Sequence, residues 1–511
     1  MKIRSGTPAF FAPYSAPPRP QRFFRPFNLP LLFRPFIQPF MTHPWLRPFT
    51  RLAFRPPTPP NNTPLLRERR TLPPSPDIPS PPTWDGKDMT QRPADPYIAR
   101  VNKRSYDNQQ IIEQLTRGVA TWQDRNQNNT TEISVSFNGG GFNESQKQEA
   151  RRSLTSWSDV ANLKFTENGN PAEGRVEFAI TNRFQGVAEG IYPTPGGSGG
   201  GKTRYKPGMA SRVVMTHEIG HALGLKHPGD YNGNASENQR VYAQDSTAHT
   251  VMSYFGDQSS GKQLGAKPLA PMMDDIAAIQ KKYGANHQTR KEDNTYGFNS
   301  NTQRDYYSLN SARDRMIACI WDGDGNDTLD VSGYQSNQVI NLKAGAFSDI
   351  GGLKGNVSIA RGCTIENAIG GSGHDALIGN DADNRLTGGR GADQKRGGGG
   401  ADTFVYNDAA DSTPEQADTI LDFTSGTDKI DVCGALRKAH AKALTFAQAF
   451  SGKAGETLLA YDQATGKGSV SIDLNGNGRA DLLIKTQGQV KPDDIVQTVA
   501  SSRYRWNPRR G

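Results

Sequence analysis

The sequence predicts an α+β domain followed by an all-β domain built as a parallel β-roll and sandwich, with a disordered, proline-rich N-terminal extension. Three observations predict this: helical and alternating apolar patterns between about 105 and 180, a nine-residue repeat between 370 and 405, and most of the 34 prolines before residue 83. A chain of 511 residues is long enough for two folded domains. The predicted boundaries are 1–100, 101–288, 289–496 and a basic tail, 497–511.

The N-terminal extension carries the net positive charge. Residues 1–100 hold 15 Lys and Arg against 5 Asp and Glu, whereas residues 101–511 hold 45 against 46. The charge therefore gives no reason to expect a nucleic-acid partner for the folded part. Proline at this density favours disorder or polyproline helix. Two alternatives stay open: a tail that binds an anionic surface or partner, and a natural start near Met89.

Several classes of protein are excluded by composition. No apolar stretch approaches the ~18 residues of a spanning helix, so no transmembrane segment is predicted. The apolar run at 9–12 is too short for the core of a signal peptide. The three cysteines, Cys319, Cys363 and Cys433, are far apart and predict neither a disulfide framework nor a CxxC metal site.

Apolar spacing and turn residues predict the secondary structure around the motifs. The predicted elements are helices near 111–119 and 150–160, strands at 133–137, 176–180, 419–423 and 482–484, and a Gly/Pro-rich loop over 193–208.

The strongest chemical signal is the segment 217–227, which reads HEIGHALGLKH. On a helix, His217 and His221 project from one face and can reach a single zinc ion. Gly224 can end the helix in a left-handed conformation and deliver His227 as a third ligand. Three protein ligands leave an open position, which is the catalytic zinc pattern. Glu218 is then placed to act as general base on a water activated by zinc.

This extended motif is that of the metzincins, and its flanks resemble those of the serralysins, bacterial zinc metalloproteases with a calcium-binding β-roll. The resemblance rests on 221–232, on 251–254 and on 273–284, and it covers about 105–496. It implies a metzincin-like catalytic domain, one zinc ion, several calcium ions and hydrolysis of peptide bonds in extracellular proteins.

The resemblance also implies further site residues and partners. Met252 would form an apolar floor beneath the zinc, although a plain core methionine would be buried equally. Tyr254 would be an additional zinc ligand that can swing away to hydrogen-bond the oxyanion; without the family, packing is the simpler interpretation. The implied partners are protein substrates, a proteinaceous protease inhibitor and a type I secretion apparatus. The protein is expected to be a secreted monomer.

Four units recur in register on the pattern Gly-Gly-x-Gly-x-Asp-x-Leu-x, with Asn380, Ala382 and Asn384 in the second unit, and their turns offer hard oxygen ligands that suit calcium. A flexible glycine-rich linker would show neither the fixed Asp nor the apolar eighth position. One unit departs, because its eighth position is Lys395. The candidate calcium ligands in the repeats are Gly371, Gly373, Asp375, Asn380, Ala382, Asn384, Gly389, Gly391, Asp393, Gly398, Gly400 and Asp402.

A second cluster resembles two calcium sites of the family. Residues 322–327, with 290, 292 and 294, match a site between the domains, and 364 and 366 match a further site just before the repeats. As an alternative, its Asp-Gly residues could form an ordinary turn. The candidate ligands are Arg290, Glu292, Asn294, Asp322, Asp324, Gly325, Asp327, Thr364 and Glu366.

The chain departs from the family in three places. Residues 181–210 are shorter, and a Gly/Pro-rich run stands where serralysins carry the edge strand that pairs with substrate. Residues 493–496 match the family's C-terminal export signal, but a basic tail follows them, and residues 1–100 do not resemble the family's propeptide. The second hypothesis is therefore a non-proteolytic calcium-binding surface or adhesion protein with a disabled protease domain, against which the intact Glu218 argues.

Overall fold

The computed structural model describes residues 88–91, 93–138, 141–169, 173–194 and 200–497. Most of the predicted extension and all but the first residue of the predicted tail lie outside the described residues. Where described, the chain has the predicted order, an α+β region followed by a large all-β region with mostly parallel strands. The predicted fold class is confirmed.

The α+β region contains a five-stranded sheet with the order β2-β1-β3-β5-β4, covered by helices. Only β4 runs antiparallel to its neighbour, and it forms one edge. The elements are α1 (Asn108–Thr116), β1 (Thr131–Asn138), α2 (Glu144–Ser158), β2 (Leu163–Glu167), β3 (Gly174–Ile180), β4 (Ala188–Gly190), β5 (Lys202–Tyr205), α3 (Arg212–Ala222) and α4 (Met273–Tyr283).

Three details of the predicted secondary structure are wrong. The stretch 193–208 is not all loop, because β5 pairs in parallel with β3 inside it. Helix α1 ends before Val119, and α2 begins at Glu144, where Asn143 accepts a capping hydrogen bond from the backbone of Gln146. Capping of this kind depends on single side chains, so apolar spacing misplaces helix ends.

The all-β region is built from two eight-stranded sheets and a three-stranded one. Strands two apart along the chain pair in parallel, as β14 does with β16 and β13 with β15, so the chain winds as a roll. The elements are β6 (Thr295–Phe298), β7 (Ser308–Leu309), β8 (Ala318–Ile320), β9 (Thr328–Asp330), β10 (Val339–Asn341), β11 (Phe347–Ser348), β12 (Val357–Ile359), β13 (Asn367–Ile369), β14 (Ala376–Ile378), β15 (Arg385–Thr387), β16 (Gln394–Arg396), β17 (Thr403–Val405), β18 (Asp418–Ile420), β19 (Lys429–Asp431), α5 (Cys433–Lys438), β20 (Thr445–Phe446), β21 (Glu456–Asp462), β22 (Lys467–Asp473), β23 (Leu482–Gln487) and β24 (Ile495–Val496).

The end of the predicted extension belongs to the folded body. Asp88 pairs with Arg396 of β16 at 2.8 Å, and the carbonyl of Ala94 accepts the amide of Phe347 at 2.9 Å. Asp95 pairs with the buried Lys262 at 2.7 Å. The boundary predicted at residue 100 therefore falls after residues that already pack on both regions.

Among the residues described, no helix is both long and apolar enough to cross a membrane. The three cysteines are buried and free, and burial raises the pKa of the Cys319 thiol to about 12. A thiol with so high a pKa is unreactive at neutral pH.

Candidate metal centre and calcium sites

Helix α3 carries the first two histidines of the motif. Its opposite face is buried, with Met215 and Ile219 fully inaccessible to solvent. Gly224 follows the helix with φ +93°, the left-handed conformation expected of it. A Cβ there would lie 2.7 Å from the carbonyl oxygen of Ala120, so glycine also permits a close approach. The turn brings His227 back over the helix.

The three imidazoles converge. Nε2 of His227 lies 3.2 Å from Nε2 of His217 and 3.0 Å from Nε2 of His221. The ligand atoms of the three histidines all lie within 4.8 Å of one another, which is close enough for them to hold one metal ion. The helical spacing and the glycine turn thus produce the arrangement that they predict.

Each ring is oriented by a backbone carbonyl on its other nitrogen. Nδ1 lies 2.8 Å from the carbonyl of Val251 in His217, 2.7 Å from that of Leu225 in His221, and 2.8 Å from that of Tyr231 in His227. A carbonyl oxygen only accepts, so each Nδ1 carries the proton and donates it.

These hydrogen bonds leave every Nε2 unprotonated, with its lone pair free to bind a cation. The Nε2 of His227 lies 3.2 and 3.0 Å from the other two Nε2 atoms with no proton between them, so a cation bound by all three would stabilise the arrangement. A set of three neutral imidazoles with fixed tautomers suits zinc. The residues present therefore fit the metal that the motif implies.

Burial keeps these histidines neutral. It lowers the pKa of His217 to about 4, and burial together with the nearby His217 lowers that of His227 to about 3. The pKa of His221 is also well below its usual value, first because of burial. At neutral pH no proton competes for the three Nε2 positions.

Glu218 lies beside the histidines at the wall of a cleft of about 440 Å³. Only 6% of the residue is exposed. Burial, and then the negative charge of Glu189, raise the pKa of its carboxyl to about 8 in the metal-free protein. A carboxyl group in this setting is suited to accept and release a proton near neutral pH.

The edge strand expected to be missing is present. Strand β4 pairs antiparallel with β5 and lines the cleft. A Cβ on Gly190 would lie 2.4 Å from the carbonyl oxygen of Glu218 and 2.6 Å from Cβ of His221, so glycine lets β4 lie directly on α3. The expectation was wrong because a three-residue strand, Ala-Glu-Gly, has no alternating apolar pattern. The non-proteolytic alternative loses its best support.

Met252 and Tyr254 both lie close to the histidines. Met252 is fully buried, and a Cβ on Gly220 of α3 would lie 2.5 Å from its sulfur, so it packs beneath the histidine helix. The ring centre of Tyr254 lies 4.4 Å from that of His227. Tyr254 is 40% exposed and lines the cleft.

One important residue was not singled out from the sequence. The buried carboxylate of Asp275 accepts from the hydroxyl of Thr250 at 2.6 Å and from the amides of Val251 and Met272 at 2.7 and 2.9 Å. It therefore fixes the loop whose Val251 carbonyl orients His217. Its signal was present, because Asp275 lies in the family-like segment 273–284.

The cluster before the repeats is partly brought together. Asp327 is buried; its carboxylate accepts from the amide of Asn294 at 2.8 Å, and its own amide donates to Glu366 at 2.7 Å. Burial, and then the nearby Asp322, raise the pKa of Asp327 to about 8. A raised pKa beside a second carboxylate indicates a place where a cation is favoured.

The other members of that cluster differ in what they offer a cation. The guanidinium of Arg290 pairs with Asp159 at 3.1 Å and bonds the carbonyl of Trp321, so only the backbone of Arg290 is available as a ligand. Asp324 and Thr364 are exposed. A Cβ on Gly325 would lie 2.7 Å from the carbonyl oxygen of Glu292, which places those two backbones together.

The repeats stack into two rows of side chains. In the first row, the amide of Asp375 donates to Asp393 at 2.8 Å, and that of Asp393 to Asp418 at 2.8 Å. In the second row, the amide of Asn384 donates to Asp402 at 2.9 Å, and that of Asp402 to Asp428 at 3.1 Å. Asp418 and Asp428 were missed because their turns lack the Gly-Gly-x-Gly pattern.

The predicted carbonyl ligands also lie in register. A Cβ on Gly389 or Gly391 would lie 2.1 Å from the carbonyl oxygen of Gly371 or Gly373 respectively. On the other side of the roll, Gly398 and Gly400 approach the carbonyls of Asn380 and Ala382 in the same way, at 2.3 and 2.6 Å. All four of these glycines have positive φ, which a side chain would strain.

A histidine metal centre on an α+β domain, joined to a parallel β-roll with stacked carboxylates, defines a metallopeptidase with a calcium-binding C-terminal domain. Two family models match accordingly: a reprolysin-like metallopeptidase of family M12B over residues 98–281, and the serralysin C-terminal domain of peptidase family M10 over residues 285–497.

Several named metalloproteases are similar in sequence to this chain over most of its length. It is 45% identical over 446 residues to the metalloprotease AprA of Pseudomonas entomophila, covering 78% of this chain and 92% of that one. It is 44% identical over 382 residues to a serralysin of Photorhabdus laumondii, covering 68% and 79%. A serralysin C of Dickeya chrysanthemi is 43% identical over 385 residues, covering 68% and 78%. The chain belongs to the serralysin family.

Proposed function

We propose that this protein is a zinc-dependent endopeptidase that cleaves protein substrates in the cleft between β4 and the histidine centre. One observation carries the proposal: three neutral imidazoles aim their Nε2 lone pairs at one point, beside the buried carboxylate of Glu218. Membership of the serralysin family supports it.

The proposed zinc ligands are His217, His221 and His227, with Tyr254 as a further, displaceable one. A zinc ion in such a site supplies Lewis acidity toward the scissile carbonyl and lowers the pKa of water. The carbonyls of Val251, Leu225 and Tyr231 hold the rings so that little reorganisation is needed on binding.

Residues of the chain then have three separate roles: binding the substrate, transferring a proton and stabilising negative charge. Strand β4 offers its free edge to the substrate backbone, which orders the peptide by strand addition. Glu218 takes a proton from the attacking water and delivers it to the leaving amine. The hydroxyl of Tyr254 donates a hydrogen bond to the oxygen that becomes negative.

We further propose that the β-roll binds calcium through the carboxylates and carbonyls of its stacked turns, and that the protein acts outside the cell. The segment expected to serve the type I apparatus, 493–496, is part of the fold: β24 pairs with β19, and Asp494 accepts from Ser425 at 2.6 Å. Its recognition by an exporter would require these contacts to open or to form after export.

The decisive experiment compares Glu218→Gln with Glu113→Gln on casein hydrolysis. Glu113 is exposed on α1, so its variant serves as a matched control. Loss of the general base lowers kcat by about 10²–10⁴-fold while zinc content stays at one per chain. The proposal fails if Glu218→Gln keeps its activity within a few-fold of the control.

A further inference from the structure

The repeat that begins at Gly388 holds a lysine where the neighbouring repeats hold Leu or Phe. Lys395 lies in β16 with its side chain fully buried between the sheets. Its Nζ lies 2.7 Å from Oδ2 of Asp418 and 4.0 Å from the ring centre of Tyr406. An ammonium group buried to this degree is held by negative charge and by aromatic faces.

A second carboxylate faces the same lysine. Oδ2 of Asp393 is buried, and it has no hydrogen-bond partner within the part of the chain that the structure describes. A Cβ on Gly388 would lie 2.0 Å from this oxygen and 2.7 Å from Cε of Lys395, so the lysine stem runs beside the carboxylate. The ammonium group thus lies next to two consecutive carboxylates of the first row.

The turn before Asp418 differs from a calcium-binding turn. Residues 412–417 read Ser-Thr-Pro-Glu-Gln-Ala and include no glycine. One step earlier, Gly389 and Gly391 have φ of +87° and +118° and pack on the carbonyls of the preceding turn. The step from Asp393 to Asp418 therefore lacks the second glycine turn whose carbonyls would complete an oxygen cage.

The second row has no such lysine. Its interior positions are Leu386 and Phe404, both fully buried and apolar. Asp402 faces the negative charges of Asp428 and Asp422. The turn before Asp428 keeps a glycine, Gly426, at φ +89°. The two rows have the same pattern of backbone pairing, but only the first has a lysine ammonium group beside its carboxylates.

We propose that the ammonium group of Lys395 is a built-in cation that takes the place of calcium between Asp393 and Asp418. The first row is closed at this end by a side chain of the protein itself, whereas the second row depends on metal there. This inference rests on the calcium binding proposed above and is independent of the protease activity.

The test uses the whole chain and measures melting temperature and bound calcium per chain for Lys395→Met, with the exposed Lys343→Met as control. Lys395→Met leaves Asp418 buried and unpaired, so its melting temperature falls by roughly 10 °C at limiting calcium. The double variant Lys395→Met/Asp418→Asn removes both charges and recovers most of that loss. An additional calcium ion bound by Lys395→Met would equally support the need for a cation at this step.

Three results would overturn the inference. Lys395→Met could match the control at every calcium concentration, or the double variant could be no more stable than the single one, which would mean that the lysine acts by packing alone. Asp418→Asn in the wild-type background could also lose one bound calcium ion, which would make Asp418 a calcium ligand. If Lys395→Met does not fold, the double variant decides: folding supports the charge argument, and failure contradicts it.

Discussion

The metal centre and the β-roll both gather ligand atoms around points where a cation fits, but they do so with different chemistry. The centre uses uncharged imidazoles, each fixed by a carbonyl on its far nitrogen. The roll uses buried carboxylates, such as Asp375 and Asp402. Neutral ligands can be assembled before the metal arrives, whereas stacked carboxylates repel one another until a cation joins them. If the proposals above hold, zinc serves the chemistry of the protein, and calcium, or a lysine in its place, serves the fold.

Removing calcium should have the largest effect, because it should unfold the roll and leave the metal centre's own ligands unaltered. Each ion at a hundred to a thousand times its Kd contributes about 3–4 kcal/mol, so several ions together contribute as much as the roughly 5–15 kcal/mol by which a domain is stable. A calcium chelator should abolish the β-sheet circular dichroism of the roll, while zinc removal by o-phenanthroline should leave the spectrum nearly unchanged. Equal losses with both reagents would contradict the distinction.

The second largest effect should be that of pH on the stability of the calcium-free protein. Burial raises the carboxyl pKa to about 6 in Asp375 and to about 7 in Asp402, well above the unfolded value. The folded state then binds more protons than the unfolded state, so its stability falls as pH rises from about 4 to 7, by about 3 kcal/mol for Asp375 alone. The β-sheet circular dichroism of the calcium-free protein checks this, because it should be stronger at pH 5 than at pH 7.5.

With calcium present the same carboxylates bind the ion instead of a proton, and calcium affinity rises with pH. The downward trend should therefore disappear or reverse in saturating calcium. Identical pH dependence with and without calcium would mean that these carboxylates do not bind it.

Replacing Gly224 should affect the metal centre more than the roll. Ala at this position meets both the left-handed backbone and the carbonyl of Ala120, which costs about 2 kcal/mol and displaces the turn that carries His227. The matched control is Gly352→Ala, where φ is +78° and no atom lies within 4 Å of the added Cβ. Both variants should melt earlier, but only Gly224→Ala should lose zinc on dialysis.

The smallest expected effect is that of Tyr254→Phe. The phenyl ring keeps its packing on His227, and only the hydroxyl is lost. We expect kcat to fall about tenfold, or about 1.4 kcal/mol, with little change in KM or zinc content. Tyr461→Phe, at an equally exposed tyrosine of β21, is the control. An unchanged kcat would remove Tyr254 from the mechanism.

Much of the candidate site could be predicted from the sequence because its determinants are local. Two histidines four residues apart share a helix face wherever that helix forms, and Gly224 turns the chain within one step. The spacing of the repeats likewise fixes which side chains stack, since each turn and strand occupies nine residues.

What the sequence left undetermined depends on contacts between distant segments. Strand β4 has no periodic pattern and exists because β5 pairs with it and Gly190 fits against α3. Asp275 acts on the loop at Val251, 24 residues away. Lys395 departs from the pattern of its repeat, and only the fold shows that Asp418 lies beside it.

The sequence by itself determined the kinds of ligand, their local spacing and the order of the two domains, because helix periodicity and repeat length are properties of a short stretch of chain. Only the tertiary structure decided which carbonyl fixes each imidazole, where the substrate-binding edge lies and which buried carboxylate receives a lysine. Those outcomes depend on burial and on charges brought together across the fold, and neither is defined until the chain is packed.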